Sequence, residues 1–149
     1  MIDSINYYII IILNMEGDFK KIRGFGLKVT PQRLAIFSLV KADRTHPSAQ
    51  EVYQEVARKH PEMSFATVYN TLSKLVEAGA VQELNIDPDK KRFDPRTSLH
   101  DHFYCRVCGK VYDVDGDVSL APNIKTIAGH RVETVQLTFK GVCEACSRK

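Results

Sequence analysis

The chain has 149 residues, 44% hydrophobic and 26% charged, with four cysteines, no tryptophan and a formal charge of +3. That is the length of one compact domain or of two very small ones, and the composition is too apolar for a disordered chain. The longest apolar run, Tyr7 to Leu13, falls far short of the ~20 residues a membrane-crossing helix needs, and basic and acidic side chains nearly balance in both halves, so any electrostatic recognition is local.

The first residues carry no Lys or Arg ahead of the apolar stretch and no small-residue cleavage pattern after it, which argues against a secretory signal. The expectation is that Met15 is the working start, or that residues 1–14 form an arm. From Thr30 the pattern is helical. Thr30 stands as an N-cap with Pro31 at the first helical position, and Leu34, Ile36, Phe37 and Val40 supply an apolar face, predicting a helix over about 30–42. Ser48 caps a second helix with Val52, Tyr53 and Val56 on its face, ended by Pro61. Ser64 caps a third, with Val68, Leu72, Leu75 and Val76 in period and Gly79 closing it. After Gly79 the period drops to two: AVQELNI, a turn at Asp87–Asp89, then KKRFD, a hairpin. Three short helices and a hairpin describe a winged helix, although the same pattern suits an arbitrary α+β core. From about residue 98 the chain reads as strands, LHDHFYC, GKVYDVD and HRVETVQLTFKG, with a helix expected around Ala121 to Ala128.

Cys105 and Cys108 form one CxxC pair and Cys143 and Cys146 another, each beside a glycine, Gly109 and Gly141. Each pair presents two sulfurs from one turn, so together they suit tetrahedral Zn(II). Two disulfides would call for a secreted chain, and a redox CxxC lacks its βαβ setting. His100 and His102 at i and i+2 project from one strand face, with Cys105 on the opposite parity, which implies two separate metal sites. Asp94, Asp113 and His46 are further candidate ligands beside them, although two histidines on a polar strand are also consistent with a solvated face. Such a set without thiolate favours Fe(II), Mn(II) or Zn(II). Because His46 belongs to the helical half, a metal there would set the angle between halves. His60 and His130 read as surface or capping residues, and Asp115 and Asp117 as a solvated strand face.

The strings HPSAQEVY, SFATVYNTLSKLVEAG, RFD, HDHFYCRVCGKVYD and GVCEAC together resemble the ferric uptake regulator family of metal-dependent bacterial repressors, over residues 19–147 or so. The resemblance implies an α+β chain: an extension at 1–18, a winged-helix DNA-binding domain at 19–94 and a small α/β dimerisation and metal-binding domain at 95–149. It implies a cytoplasmic homodimer on double-stranded operator DNA, with structural Zn(II) on Cys105, Cys108, Cys143 and Cys146. Regulatory Fe(II) or Mn(II) falls on His46, Asp94, His100, His102 and Asp113. Asp94 and Asp113, where iron-sensing relatives tend to carry glutamate, and Asn70 after Tyr69, where those often carry arginine, lean toward the peroxide-sensing branch. There Fe(II) and hydrogen peroxide oxidise a ligand histidine, His46 or His100 here, and DNA is released. The family's additional metal site is broken, with Leu99 and Val135 in place of histidines and only Asp101 left.

The recognition helix would start near Phe65 or Ala66 and bring Thr67, Tyr69 and Asn70 to the major groove. Core packing is the competing reading of Tyr69. Lys20, Lys21, Arg23, Lys28 and Arg33 near the start, with Lys90, Lys91 and Arg92 on the wing, would meet phosphates. The rival readings are a sensor of iron or another metal without peroxide chemistry, and a metalloenzyme, which no substrate-binding motif supports.

Overall fold

The structure, a computed structural model, describes residues 15–115 and 124–148. Residues 1–14 and Asp117, on which an arm and an acidic face were expected, lie outside them. Among the described residues no helix is long and apolar enough to cross a membrane.

The first helix, α1, covers residues 15–24. It docks through Ile22, fully buried, and through Asp18, whose carboxylate accepts from Ser38 Oγ at 2.7 Å and Lys41 Nζ at 2.6 Å. Three further helices follow: α2 (Pro31–Ala42), α3 (Ala49–Lys59) and α4 (Phe65–Glu77). Each starts where its cap predicts. Thr30 accepts from the Arg33 amide, Ser48 and Glu51 close a reciprocal capping box, and Ser64 accepts from the Thr67 amide, so one orphan N–H of each first turn finds a side-chain partner. Gly79, at φ +73°, supplies the left-handed residue that lets the chain leave α4. The helices bury Ile36, Phe37 and Val40, Val52 and Val56, and Val68, Leu72 and Leu75 in one core, joined by Phe93 from the wing.

The wing is β1 (Gln82–Leu84) paired antiparallel with β2 (Arg92–Asp94), Glu83 opposite Phe93. Asp87 Oδ1 accepts from the Asp89 amide at 3.0 Å and shapes the loop between them. The second half holds a three-stranded sheet of β3 (Asp101–Cys105), β4 (Val111–Val114) and β7 (Thr138–Gly141), with β3 central, antiparallel to β4 and parallel to β7. A small hairpin, β5 (Thr126–Ile127) and β6 (His130–Arg131), and a short helix, α5 (Glu144–Ser147), complete it. The architecture is α+β, a winged helix followed by a small strand-rich half.

Three expectations change. The helix at 121–128 is not seen where the chain is described. Residues 121–123 lie outside the described set, while Thr126 and Ile127 pair with β6 across a turn that needs positive φ at Ala128 (+46°) and Gly129 (+82°), a geometry no helix continues through. HRVETVQLTFKG is two strands rather than one, because the Val132 amide turns to the Lys125 carbonyl while the Leu137 amide is taken by Asp101 Oδ1. The LHDHFYC strand starts only at Asp101, so His100 lies one residue outside it.

Candidate metal centre

The last strand lies parallel to β3 with Gly141 opposite Cys105, and this register carries the second CxxC pair to the first. A side chain at Gly141 would bring its Cβ to 3.3 Å from the Phe103 ring, so glycine allows the close approach. Gly109, at φ +69°, donates its amide to the Cys105 carbonyl at 2.8 Å and closes the first knuckle. The four sulfurs lie within 4.8 Å of one another, Cys105 and Cys143 buried, Cys146 half-buried and Cys108 exposed, and no pair is bonded as a disulfide. Backbone N–H groups of the knuckle, led by that of Cys108, outweigh burial and draw the Cys105 thiol down to about 6. The neighbouring Cys143 and burial push Cys146 up to about 12. One divalent cation replaces the protons that such crowded sulfurs share, and four thiolates in tetrahedral reach fit Zn(II).

The second cluster draws on the whole chain. His46 comes from the link between α2 and α3, Asp94 from the end of β2, His100 from the residue just before β3, His102 from β3 itself, and Asp113 from β4, where it sits directly opposite His102. Asp43 Oδ1 accepts from the Thr45 amide at 2.7 Å and turns the link so that His46 adopts φ +55°, a left-handed conformation that costs a non-glycine residue about 1 kcal/mol or more. Its Nε2 lies 2.7 Å from Asp113 Oδ1. His100 Nε2 lies 3.0 Å from the same oxygen and 3.2 Å from Asp94 Oδ2, and His102 Nε2 is 3.5 Å from Asp94 Oδ2. The His100 and His102 ring centroids are 4.3 Å apart. Asp94 is fully buried and the three histidines nearly so, while Asp113 keeps one side toward solvent.

Groups behind the cluster orient it. The His100 ring places Nδ1 2.7 Å from the Ser98 carbonyl, so that nitrogen carries the proton and Nε2 turns a lone pair inward. Gln136 Nε2 donates to the His100 carbonyl, and Gln82 Nε2 and the Arg96 amide donate to the two oxygens of Asp94, each at 2.7 Å. Burial raises the Asp94 carboxyl, but the nearby His102 ring and the hydrogen bonds from the Arg96 amide and Gln82 outweigh it and hold the group below its ordinary value. Three imidazoles and two carboxylates with no thiolate fit Fe(II), Mn(II) or Zn(II). The buried His102 Nε2, which finds no hydrogen-bond partner, is an open donor facing the cluster.

Sequence reasoning named all five of these residues and missed the amides behind them. The pairing of Gln82 with Asp94 across the wing was a readable signal, since the two stand opposite in register. Gln136 had none, as it arrives through the irregular stretch before β7. Asp101, read as the remnant of an additional metal site, holds the Leu137 amide at 2.7 Å instead, while Leu99 is exposed. Asp115 pairs with Arg96 outside the cluster, His60 caps α3 beside Glu62, and His130 is exposed.

On α4, Thr67, Tyr69 and Asn70 are exposed, as is Phe65, so Tyr69 is not a core residue. Lys20, Lys21, Arg23 and Lys28 are exposed too. Arg33 is half-withdrawn, with Nη1 on the Lys28 carbonyl. On the wing Lys90 and Lys91 reach solvent while pairing with Glu51 and Glu83. Arg92 corrects the sequence reading: it is 3% exposed and bonded to Asp87 and Glu51, because its position on β2 turns it inward against α3 rather than out to a duplex.

Residues 24–140 match the model of the ferric uptake regulator family. The chain is similar to the peroxide operon regulator of Bacillus subtilis, 39% identical over 129 residues that cover 83% of this chain and 87% of that protein. Among solved structures it is similar to the peroxide-sensing PerR of Streptococcus pyogenes, with 33% identity, TM-score 0.50, and 89% and 92% of the two chains covered. It also resembles the manganese-bound ferric uptake regulator of Pseudomonas aeruginosa, with 27% identity, TM-score 0.65, and 85% and 98% covered. The chain belongs to the ferric uptake regulator family, whose members are metal-sensing transcriptional regulators and not enzymes.

Proposed function

We propose that this chain is a cytoplasmic, homodimeric repressor that holds operator DNA while a divalent metal sits on His46, Asp94, His100, His102 and Asp113, and that hydrogen peroxide is the signal that ends repression. The observation that carries the reading is the origin of those five side chains: one comes from the helix link, one from the wing, three from the strand half. A shared cation draws these segments together, so occupancy sets how α4 is presented. Moving such an equilibrium from 1:99 to 99:1 takes about 5.5 kcal/mol of differential binding, within reach of five ligands. Thr67, Tyr69 and Asn70 would read the major groove, and Lys20, Lys21, Arg23, Arg33, Lys90 and Lys91 would meet phosphates.

Likeness to the peroxide operon regulator favours the oxidant reading. Fe(II), held there, supplies the redox chemistry by which peroxide inserts one oxygen into a ligand imidazole and leaves as water. Within this chain His46 and His100 are the rings that share Asp113 Oδ1, at 2.7 and 3.0 Å, and loss of either as a ligand uncouples the helix link or the strand half. Mn(II) in the same place represses without that chemistry. Four cysteines as a structural zinc site call for reduced thiols, which fits the cytoplasm.

The test is operator binding by the Fe(II) and Mn(II) proteins before and after a brief low dose of peroxide, with peptide mass analysis. The Fe(II) protein releases DNA and gains one oxygen on the His46 or His100 peptide, and the Mn(II) protein does neither. Fe(II) protein that keeps its operator with both peptides unchanged establishes the second reading, a sensor of metal supply alone.

A further inference from the structure

Arg92 presents five N–H donors in one rigid fork, and every one of them is used. Nε and one hydrogen of Nη2 go to Asp87 Oδ2 at 3.0 and 2.8 Å. Nη1 reaches Glu51 Oε2 at 3.0 Å and the His46 carbonyl at 3.3 Å, and Nη2 also donates to the Gly109 carbonyl. The acceptors come from the wing loop, from α3, from the link that carries a candidate ligand, and from the turn that closes the first CxxC knuckle. Next to it, the Phe93 amide donates to the Pro47 carbonyl at 3.0 Å, so two successive residues of β2 grip the backbone on either side of the His46–Pro47 peptide. That grip holds His46 in its left-handed conformation.

We propose that Arg92 is the positioning residue that couples the four-cysteine site to the His46 cluster. The knuckle carbonyl at Gly109 and the ligand carbonyl at His46 share one guanidinium. Collapse of the knuckle on loss of Zn(II) removes one anchor of the fork, and the other end relaxes the His46 backbone. The zinc site thus sets the affinity of the second site from a distance. A lysine keeps the charge but, as a point donor, cannot span both carbonyls. The inference rests on the assignment of a divalent metal to the His46 cluster.

The experiment titrates Mn(II) into the full-length zinc-loaded protein by electron paramagnetic resonance, alongside zinc content and Tm. Arg92→Lys should retain its zinc and bind Mn(II) at least tenfold more weakly than the unaltered protein. Asp87→Asn, which weakens the same buried pair but leaves both carbonyl contacts, should lower Tm and bind Mn(II) normally. Partial zinc removal should weaken Mn(II) binding by a larger factor in the unaltered protein than in Arg92→Lys, the difference being the coupling that a double-mutant cycle isolates. If Arg92→Lys fails to fold, the double variant Arg92→Met with Asp87→Leu replaces the buried pair by apolar groups and should show the same loss. Mn(II) affinity that follows Tm across all variants, or a zinc effect of the same size with and without the guanidinium, overturns the coupling. Failure of the unaltered protein to bind Mn(II) overturns instead the assignment of the His46 site.

Discussion

His46 carries two demands at one position, a ring aimed into a buried cluster and a backbone at φ +55°. These separate by substitution. His46→Ala should keep its zinc and lose metal-dependent operator binding, measured by metal analysis and DNA titration. His46→Gly should lose the same binding yet unfold at higher urea than the alanine variant, by about 1 kcal/mol, because glycine alone takes the left-handed region freely. Glu51 offers a second test. Burial raises its carboxyl, but hydrogen bonds from the Ser48 amide and hydroxyl, Lys90 and the nearby Arg92 charge prevail and hold it below the ordinary 4.5. A depressed acid contributes stability that is complete above its unfolded value and is lost as pH falls through the folded one. Glu51→Gln should therefore melt at a lower temperature than the unaltered protein at pH 7, and the gap should narrow below pH 4.5, read by thermal unfolding across pH.

At the scale of elements, the helices rest on caps and one shared core. Leu72 is fully buried in the core that α2, α3 and α4 share, and Leu72→Ala should cost about 2–5 kcal/mol by calorimetry, since the packed helices around it collapse only partly into the space. The exposed face of α4 and the basic end of α1 belong to a different physics. Replacing Lys20, Lys21 and Arg23 together by glutamine should leave stability nearly unchanged and reduce the salt dependence of operator binding by about one in log–log slope for each charge that meets a phosphate. A salt slope that stays the same would remove α1 from the interface. The wing contributes differently: its two lysines are exposed, but its arginine is a structural joint.

At the scale of the molecule, the four-cysteine cluster pins the end of the chain to β3 and its knuckle to the wing. The strand half is small, its sheet has three strands and, among the described residues, few buried apolar ones, so a tetrahedral metal on the four cysteines would supply what its core lacks. Cys143→Ser should therefore abolish both zinc and the dimer, as judged by metal analysis and sedimentation. A zinc-free dimer of native mobility would show that the sheet stands without the metal.

Much of this was legible in one dimension. Thr30, Ser48, Ser64 and Gly79 mark helix ends through hydrogen bonds made within four residues, and the apolar period marks the faces that pack. The CxxC pairs declare themselves because two sulfurs on one turn depend only on local geometry. The failures have two causes, a missed tight turn and distance along the chain. The predicted helix at 121–128 missed a hairpin whose partners, Ile127 with His130 and Thr126 with Arg131, stand close in sequence across a turn at Ala128 and Gly129. Asp101, read as all that is left of a broken metal site, has a structural partner, the Leu137 amide, that the sequence did not show. Arg92 looked like a phosphate contact because charge in a sequence does not say which way a strand faces. What the sequence alone determined was the set of local elements and the donor chemistry. Only the tertiary structure decided which donors meet and which charge is buried between them, because those outcomes depend on contacts such as His46 with Asp113 and Arg92 with His46, 67 and 46 positions apart, which no local pattern encodes.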